Sequence, residues 1–307
     1  MKKKEIEIHA PSIARTPCLR PGMSPQQAMQ AVVLETLRHL QANVPGVLAG
    51  DDIEFVHQMR IALRRLRSTQ KAFAGLLTGA AWQSVDEEIR WLAKLLGDAR
   101  DLDVFLTETL PPIEAALQPH ADFSPLKQAV FTRRNVLRRK IRTALNSVRY
   151  RALTRHLQKW CDEIPPQPAP DSCRLRKFTR RSLNKRRSQV DRLAHNWQAL
   201  DREQRHELRK KAKALRYAVE FFSALYPTKA VKRYLAKLQS VQQILGVLND
   251  SVSAKRVLDE LIKNNAALTP LGRLVFDWLS VEANKTEPNL GHAIKQLEKA
   301  KAFWQEK

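Results

Sequence analysis

The sequence predicts an all-α fold arranged as two antiparallel four-helix bundles. Three observations carry that expectation. Only 9 glycines occur in 307 residues, and neither GxGxxG nor GxxxxGK[ST] is present, which argues against dinucleotide and P-loop folds. From Ser24 onward, apolar residues recur at helical spacing almost throughout. Two motifs from the first half return in the second half at one shared offset, a sign of internal duplication.

The elements follow in chain order. Residues 1–22 contain Pro11, Pro17 and Pro21 and no helical period, so they read as an irregular N-terminal extension in which Glu5-Ile6-Glu7-Ile8 alternates like a short strand. Ser24-Pro25 is a helix start, a capping hydroxyl followed by proline at the first helical position. Helices are predicted over 24–43, 52–78, 81–109 and 123–161, making a first half over 23–163. The segment 164–171 holds Pro165, Pro166, Pro168 and Pro170. Proline removes a backbone donor and clashes with the preceding turn, so no helix continues there, and the segment reads as a linker. Helices resume over 172–196, 201–225, 229–264 and 268–303, a second half over 172–304.

The repeat is specific. His57, Arg60, Arg64, Arg65, Leu66 and Arg67 return as His206, Arg209, Lys213, Ala214, Leu215 and Arg216, each 149 residues later. Leu96, Gly97 and Asp101 return as Leu245, Gly246 and Asp250 at the same offset. At 100° per residue, His57, Arg60, Arg64, Arg67 and Lys71 fall within an arc of about 80°, while Val56, Met59, Ala62, Leu63, Leu66 and Phe73 form an apolar stripe roughly opposite. In the second copy His206, Arg209, Lys213 and Arg216 fill the cationic arc, with Lys210 and Tyr217 at its margin. Leu208, Ala212, Leu215, Val219 and Phe222 make its core face.

The chain carries 54 Lys+Arg against 31 Asp+Glu, a net charge of +23. Such an excess points to a polyanionic partner. Like charges three and four residues apart cost about 0.2–0.5 kcal/mol each on a helix, and the first stripe contains no acid to relieve them. A bound anion would. Arginine, whose planar fork bonds phosphate oxygens in pairs, dominates these stripes. No acid occurs from Phe123 to Cys161, where Arg134 and Arg138 belong to a dense basic run and are expected among the ligands of the polyanion, and Glu220 stands in the second stripe where the first has Lys71.

Other chemistries find little support. No run of about 18 apolar residues could span a membrane, and the basic start lacks a signal-peptide core. Cys18, Cys161 and Cys173 show no CxxC, so a reducing cytoplasm is the expected setting. No HExxH or nucleophile motif is evident, and neither an enzyme nor a cofactor is expected. Asp101-x-Asp103 could hold a divalent cation, but Asp250-x-Val252 keeps only one carboxylate. A structural partner for a guanidinium is the simpler role.

The stretches Val56–Arg67, Leu96–Val104, His206–Tyr217 and Gln242–Asp250 resemble a CHAD domain, the conserved histidine α-helical domain, and with the intervening helices the resemblance covers about residues 24–303. It implies two four-helix bundles related by a pseudo-twofold, with a basic cleft or pore between them. It also implies binding of inorganic polyphosphate and, for some members, location at polyphosphate granules. By position, the implied ligands are His57, Arg60, Arg64 and Arg67, with His206, Arg209, Lys213 and Arg216, then Lys71, Lys210 and Tyr217. Many relatives also carry an N-terminal CYTH barrel, whose opening ExExK strand Glu5-Ile6-Glu7-Ile8-His9 resembles. Fewer than 50 residues precede the first CHAD helices, too few for that barrel, so its triphosphatase activity is not carried over and a stand-alone module is expected.

The function expected is therefore polyphosphate binding through a cationic His/Arg/Lys-lined surface. The rivals are a nucleic-acid binder, a granule-associated adaptor and a metal-dependent phosphohydrolase. Against the first, aromatics do not interleave with the basic stripes apart from Tyr217, whereas single-strand binders stack bases on aromatic rings.

Overall fold

A computed structural model describes residues 10–50, 52–77, 80–163 and 173–305. The alternating segment at 5–8 and the whole linker at 164–171 lie outside these residues. Among the described residues the regular structure is entirely helical, with no strand. The helices are α1 (Pro25–Ala42), α2 (Val44–Ala49), α3 (Ile53–Ala72), α4 (Ala80–Val104), α5 (Leu110–Leu117), α6 (Ser124–Asn146), α7 (Val148–Asp162), α8 (Cys173–Ala194), α9 (Arg202–Phe222), α10 (Thr228–Asn264) and α11 (Thr269–Glu298).

Helix α1 begins as its sequence dictates. The Ser24 hydroxyl accepts from the Gln27 amide at 3.2 Å, and the Gln27 side chain accepts from the Ser24 amide at 2.8 Å, a capping box with Pro25 in the first turn. The two stripe-bearing helices are capped alike. The Asp52 carboxylate accepts from the Glu54 amide at 2.8 Å ahead of α3, and the Asp201 carboxylate accepts from the Gln204 amide at 2.8 Å ahead of α9. These caps lie 149 residues apart, so each sets the same helical phase for the histidine five positions on.

Three boundaries differ from expectation. The predicted helix 123–161 is two helices, because Ser147 leaves the helical conformation and its hydroxyl caps α7 at the Tyr150 amide, 3.1 Å away. The predicted end near 109 is not an end. A π-helical turn over Phe105–Thr109 leads into α5, whose first turn holds Pro111 and Pro112 where amide donors lack helical partners anyway. Helix α2, with Pro45 in its first turn, was not expected at all.

The chain forms two compact units. The first comprises 1–100, 138–183 and 217–227; the second comprises 101–137, 184–216 and 228–307. Each draws on sequence from both sides of the proline-rich segment. In the first unit α1 packs on α3, and Val56, Met59, Ala62, Leu63 and Leu66 are all buried. Phe73 stacks on Phe178 with ring centroids 5.6 Å apart and meets Phe222 edge-on at 5.3 Å. Residues 10–22 are irregular but anchored: the Asn43 side chain bonds both backbone groups of Ser12 at 3.0 Å, and the Arg15 carbonyl accepts from Arg65. In the second unit α10 and α11 are the main pair, over a core of Leu208, Ala212, Leu215, Leu238, Val241 and Leu290. Tyr234, Phe303 and Trp304 form an edge-to-face cluster beside them.

Candidate anion-binding site

The first cationic face stands on α3. Its apolar stripe is buried, and the turn of the helix leaves His57, Arg60 and Arg64 half-buried and Arg67 and Lys71 exposed. Arg64 and Arg67 have no acidic partner among the described residues. The neighbouring Arg65 has a different role. It is 4% exposed, its guanidinium donates to Glu220 at 3.2 Å and to the Arg15 carbonyl at 3.1 Å, and it lies 5.0 Å from the centre of the Phe221 ring. Glu220 therefore neutralises a buried arginine of the first unit as well as interrupting its own stripe.

His57 is held as a neutral imidazole. Burial lowers its pKa from the ordinary 6.5, and Arg100, Arg64 and Arg60 lower it further against the opposing pull of Glu54. Its Nδ1 is buried without a hydrogen-bond partner.

The second cationic face stands on α9. Here His206 and Lys210 are exposed, and Arg209, Lys213 and Arg216 are half-buried. Glu207 accepts from Lys210 at 2.6 Å and lies 3.1 Å from Lys211, so Lys210 is partly neutralised within its own helix. Tyr217 does not sit at a surface: it is 1% exposed and stacks on Phe221 with centroids 6.3 Å apart.

The second motif meets the first within each unit. A Cβ added at Gly97 would lie 3.8 Å from Arg60 Nε, and one added at Gly246 would lie 4.0 Å from an Arg209 terminal nitrogen. The four residues are two pairs at the 149-residue offset, so each glycine of α4 and α10 leaves its side free where an arginine of α3 or α9 passes. The spacing contained that signal, but only the fold shows that the two motifs touch.

The basic run of α6 behaves otherwise. Arg134, expected to bind the polymer, donates to Asp103 at 2.6 Å, with the carboxylate 1% and the guanidinium 13% exposed. Arg133 is ion-paired with Glu260. Arg138, also expected as a ligand, is buried, at 6% exposed. Asp101 binds Arg256 at 2.5 Å. Both carboxylates of Asp101-x-Asp103 thus serve as guanidinium partners. No group of three or more metal-ligating side chains occurs among the described residues, and no helix is long and apolar enough to cross a membrane.

These features define an all-helical protein with two repeated His/Arg faces. Residues 31–259 match the family model of the CHAD domain, and the chain belongs to that family. Its fold is similar to the crystal structure of the CHAD domain from the plant Ricinus communis, with TM-score 0.83 and 30% identity, covering 96% of this chain and 98% of that one. It is also similar to PptA from Streptomyces chartreusis, with TM-score 0.62 and 15% identity over 92% of this chain and all of that one. A comparison with curated protein sequences finds no match.

Proposed function

We propose that this protein binds inorganic polyphosphate without turning it over, using the α3 face of His57, Arg60, Arg64 and Arg67 and the α9 face of His206, Arg209, Lys213 and Arg216. The observation that carries the reading is the doubled ladder itself. The same residue types recur at one spacing, each with its leading arginine against a motif glycine, and on α3 the cations outnumber any acid that could relieve them. A linear phosphate polymer offers one charge per repeat and no bases to read, so arginine forks beside the His57 and His206 imidazoles suit it. The pairing of α3 with α9 and α4 with α10 supports descent by duplication of a four-helix unit, their first residues standing 149 and 148 positions apart. Polymer binding would carry the protein to polyphosphate deposits in the cell.

The test is calorimetric titration of the whole chain with long-chain polyphosphate at two salt concentrations, with duplex DNA and single-stranded RNA run alongside. Tight binding that weakens with salt, and much weaker binding to nucleic acid, is expected. The Arg60→Glu/Arg209→Glu chain should lose at least tenfold in affinity while its helix content is unchanged. Equal binding to all three polymers would reduce the surface to a generic polyanion binder. Phosphate release from polyphosphate in the presence of Mg²⁺ or Mn²⁺ would overturn the non-enzymatic reading.

A further inference from the structure

The second unit holds a cavity of about 210 Å³ lined by Ala230, Arg233, Tyr234, Lys237, Ala300, Lys301 and Phe303, none of them a stripe residue. Four of these are successive positions of one face of α10, at helical spacings of three and four. The cavity has two characters. Ala230, Ala300 and the buried rings of Tyr234 and Phe303 make an apolar wall, and Arg233, Lys237 and Lys301 supply three cations. Arg233 and Lys237 make no ion pair or hydrogen bond among the described residues.

The wall is firmly built. Arg187 lies 5.7 Å from the centre of the Tyr234 ring, donates to its hydroxyl at 3.0 Å and to the Leu297 and Glu298 carbonyls at 3.0 and 3.2 Å, and is clamped by Asp191 at 2.6 Å. It ties the end of α11 to α10 and fixes the ring that forms the cavity floor.

The matching face of the first unit carries different charges. At the 149-residue offset, Ser84 and Glu88 stand where α10 has Arg233 and Lys237. Glu88 accepts two bonds from Arg149, at 2.5 and 3.1 Å, and the Arg149 guanidinium sits 4.0 Å from the centre of the Trp91 ring. One copy thus satisfies its charge internally, and in the other Arg233 and Lys237 line a space without an ion pair among the described residues.

We infer that the α10 cavity is a second ligand site, for a small anion with a compact apolar body such as a monocyclic aryl phosphate. Size selects the class. A dry cavity of about 150 Å³ accommodates a benzene ring, so this one has room for a single ring and one anionic group. The ring would lie against Ala230, Ala300 and Phe303, and the phosphoryl oxygens would take bonds from Arg233 and Lys237.

The experiment is a titration of the whole chain, labelled at alanine methyl groups, with phenyl phosphate, and in parallel with inorganic phosphate and benzoate, read by NMR. Saturable shifts of the Ala230 and Ala300 methyls are expected, with phenyl phosphate binding at least tenfold tighter than inorganic phosphate. Lys237→Glu, which restores the acid of the matching position, should weaken phenyl phosphate at least tenfold. Ala230→Phe, which fills the cavity without altering charge, should abolish its binding, read at the Ala300 methyl. Melting curves would show both variants folded, and both substitutions leave the α3 and α9 stripes untouched. Methyls that do not move at millimolar phenyl phosphate, equal affinity for inorganic phosphate, or binding undiminished in Ala230→Phe would each overturn the assignment.

Discussion

The basic stripe of α3 and the basic run of α6 have similar compositions and opposite fates. On α6, Arg133 and Arg134 are matched by Glu260 and Asp103, residues distant in sequence, and Arg138 is buried. On α3, Arg64 and Arg67 have no acid among the described residues, while Arg65, which pairs with Glu220, lies off the stripe. Arginine density is therefore a poor guide to a binding surface, because the fold can assign a guanidinium to a carboxylate that no local window contains. What distinguishes α3 is that its cations share one face while its apolar residues take the other.

The largest effect that would test this contrast lies on α6. Asp103→Ala removes the carboxylate that Arg134 meets at 2.6 Å in a nearly closed site. Removing one partner of a buried pair costs about 3–5 kcal/mol, and the value here should fall near the lower end because Arg134 retains some exposure. Urea or thermal denaturation measures it. A loss below about 1 kcal/mol would mean that the pair is no more structural than a surface bridge.

The same substitution logic on α3 should move binding instead of stability. Arg64→Gln together with Arg67→Gln removes two charges that support no ion pair, so stability should stay within about 0.5 kcal/mol. Polyphosphate affinity should fall about tenfold per arginine, and the slope of log affinity against log salt should flatten by about one unit per lost contact. Destabilisation comparable to that of Asp103→Ala would erase the distinction between the two regions.

How much of this was legible in the sequence can be judged from particular residues. The helix start at Ser24 is written in local capping chemistry, and the buried stripes of α3 and α9 follow from helical periodicity, whereas the Asp52 and Asp201 caps emerge only in the structure. The break at Ser147 was missed because a single serine inside a long basic period looks like a tolerated polar residue. It ends a helix only because its hydroxyl can bond both the Ala144 carbonyl and the Tyr150 amide. Tyr217 was placed at the margin of the cationic arc, where angle alone allows either side. Packing against Phe221 decides it for the core. Arg134 and Arg138 could not be sorted from sequence, since Asp103 lies 31 residues from Arg134.

The pH response separates the faces in another way. His57 is held neutral mainly by burial and next by Arg100, with a pKa below 6.5, and His39 is lowered mainly by burial as well. As pH drops through 6.5 the unfolded chain takes up protons before the folded one does. Stability is therefore lost with falling pH until the depressed folded-state values are passed. A bound polyanion opposes the surrounding arginines and raises the pKa of His57, so binding takes up a proton. Polyphosphate affinity should increase as pH falls through the raised His57 pKa of the bound state, by about tenfold for each unit by which the anion raises that pKa. His57→Gln should flatten the affinity profile while leaving the share of acid destabilisation that belongs to His39. Calorimetry in buffers of different ionisation heat would count the proton, and a titration with no proton uptake would remove His57 from the site.

The smallest effect concerns Gly97. Its hypothetical Cβ lies 3.8 Å from Arg60 Nε, an ordinary van der Waals distance, and the residue sits inside α4. Alanine should therefore fit without moving the guanidinium. It should also stabilise the helix by up to about 1 kcal/mol, because glycine gives up more backbone freedom there. A longer side chain has no such room. Gly97→Leu would push against Arg60 and weaken polyphosphate binding severalfold, while the same change at Gly246 would act on Arg209. If alanine weakened binding as much as leucine does, the glycine would matter for backbone geometry and not for the passage of the arginine. If leucine had no effect at either position, the contact between the two repeated motifs would be incidental to binding, and the recurrence of glycine at both would have to be explained by helix packing alone.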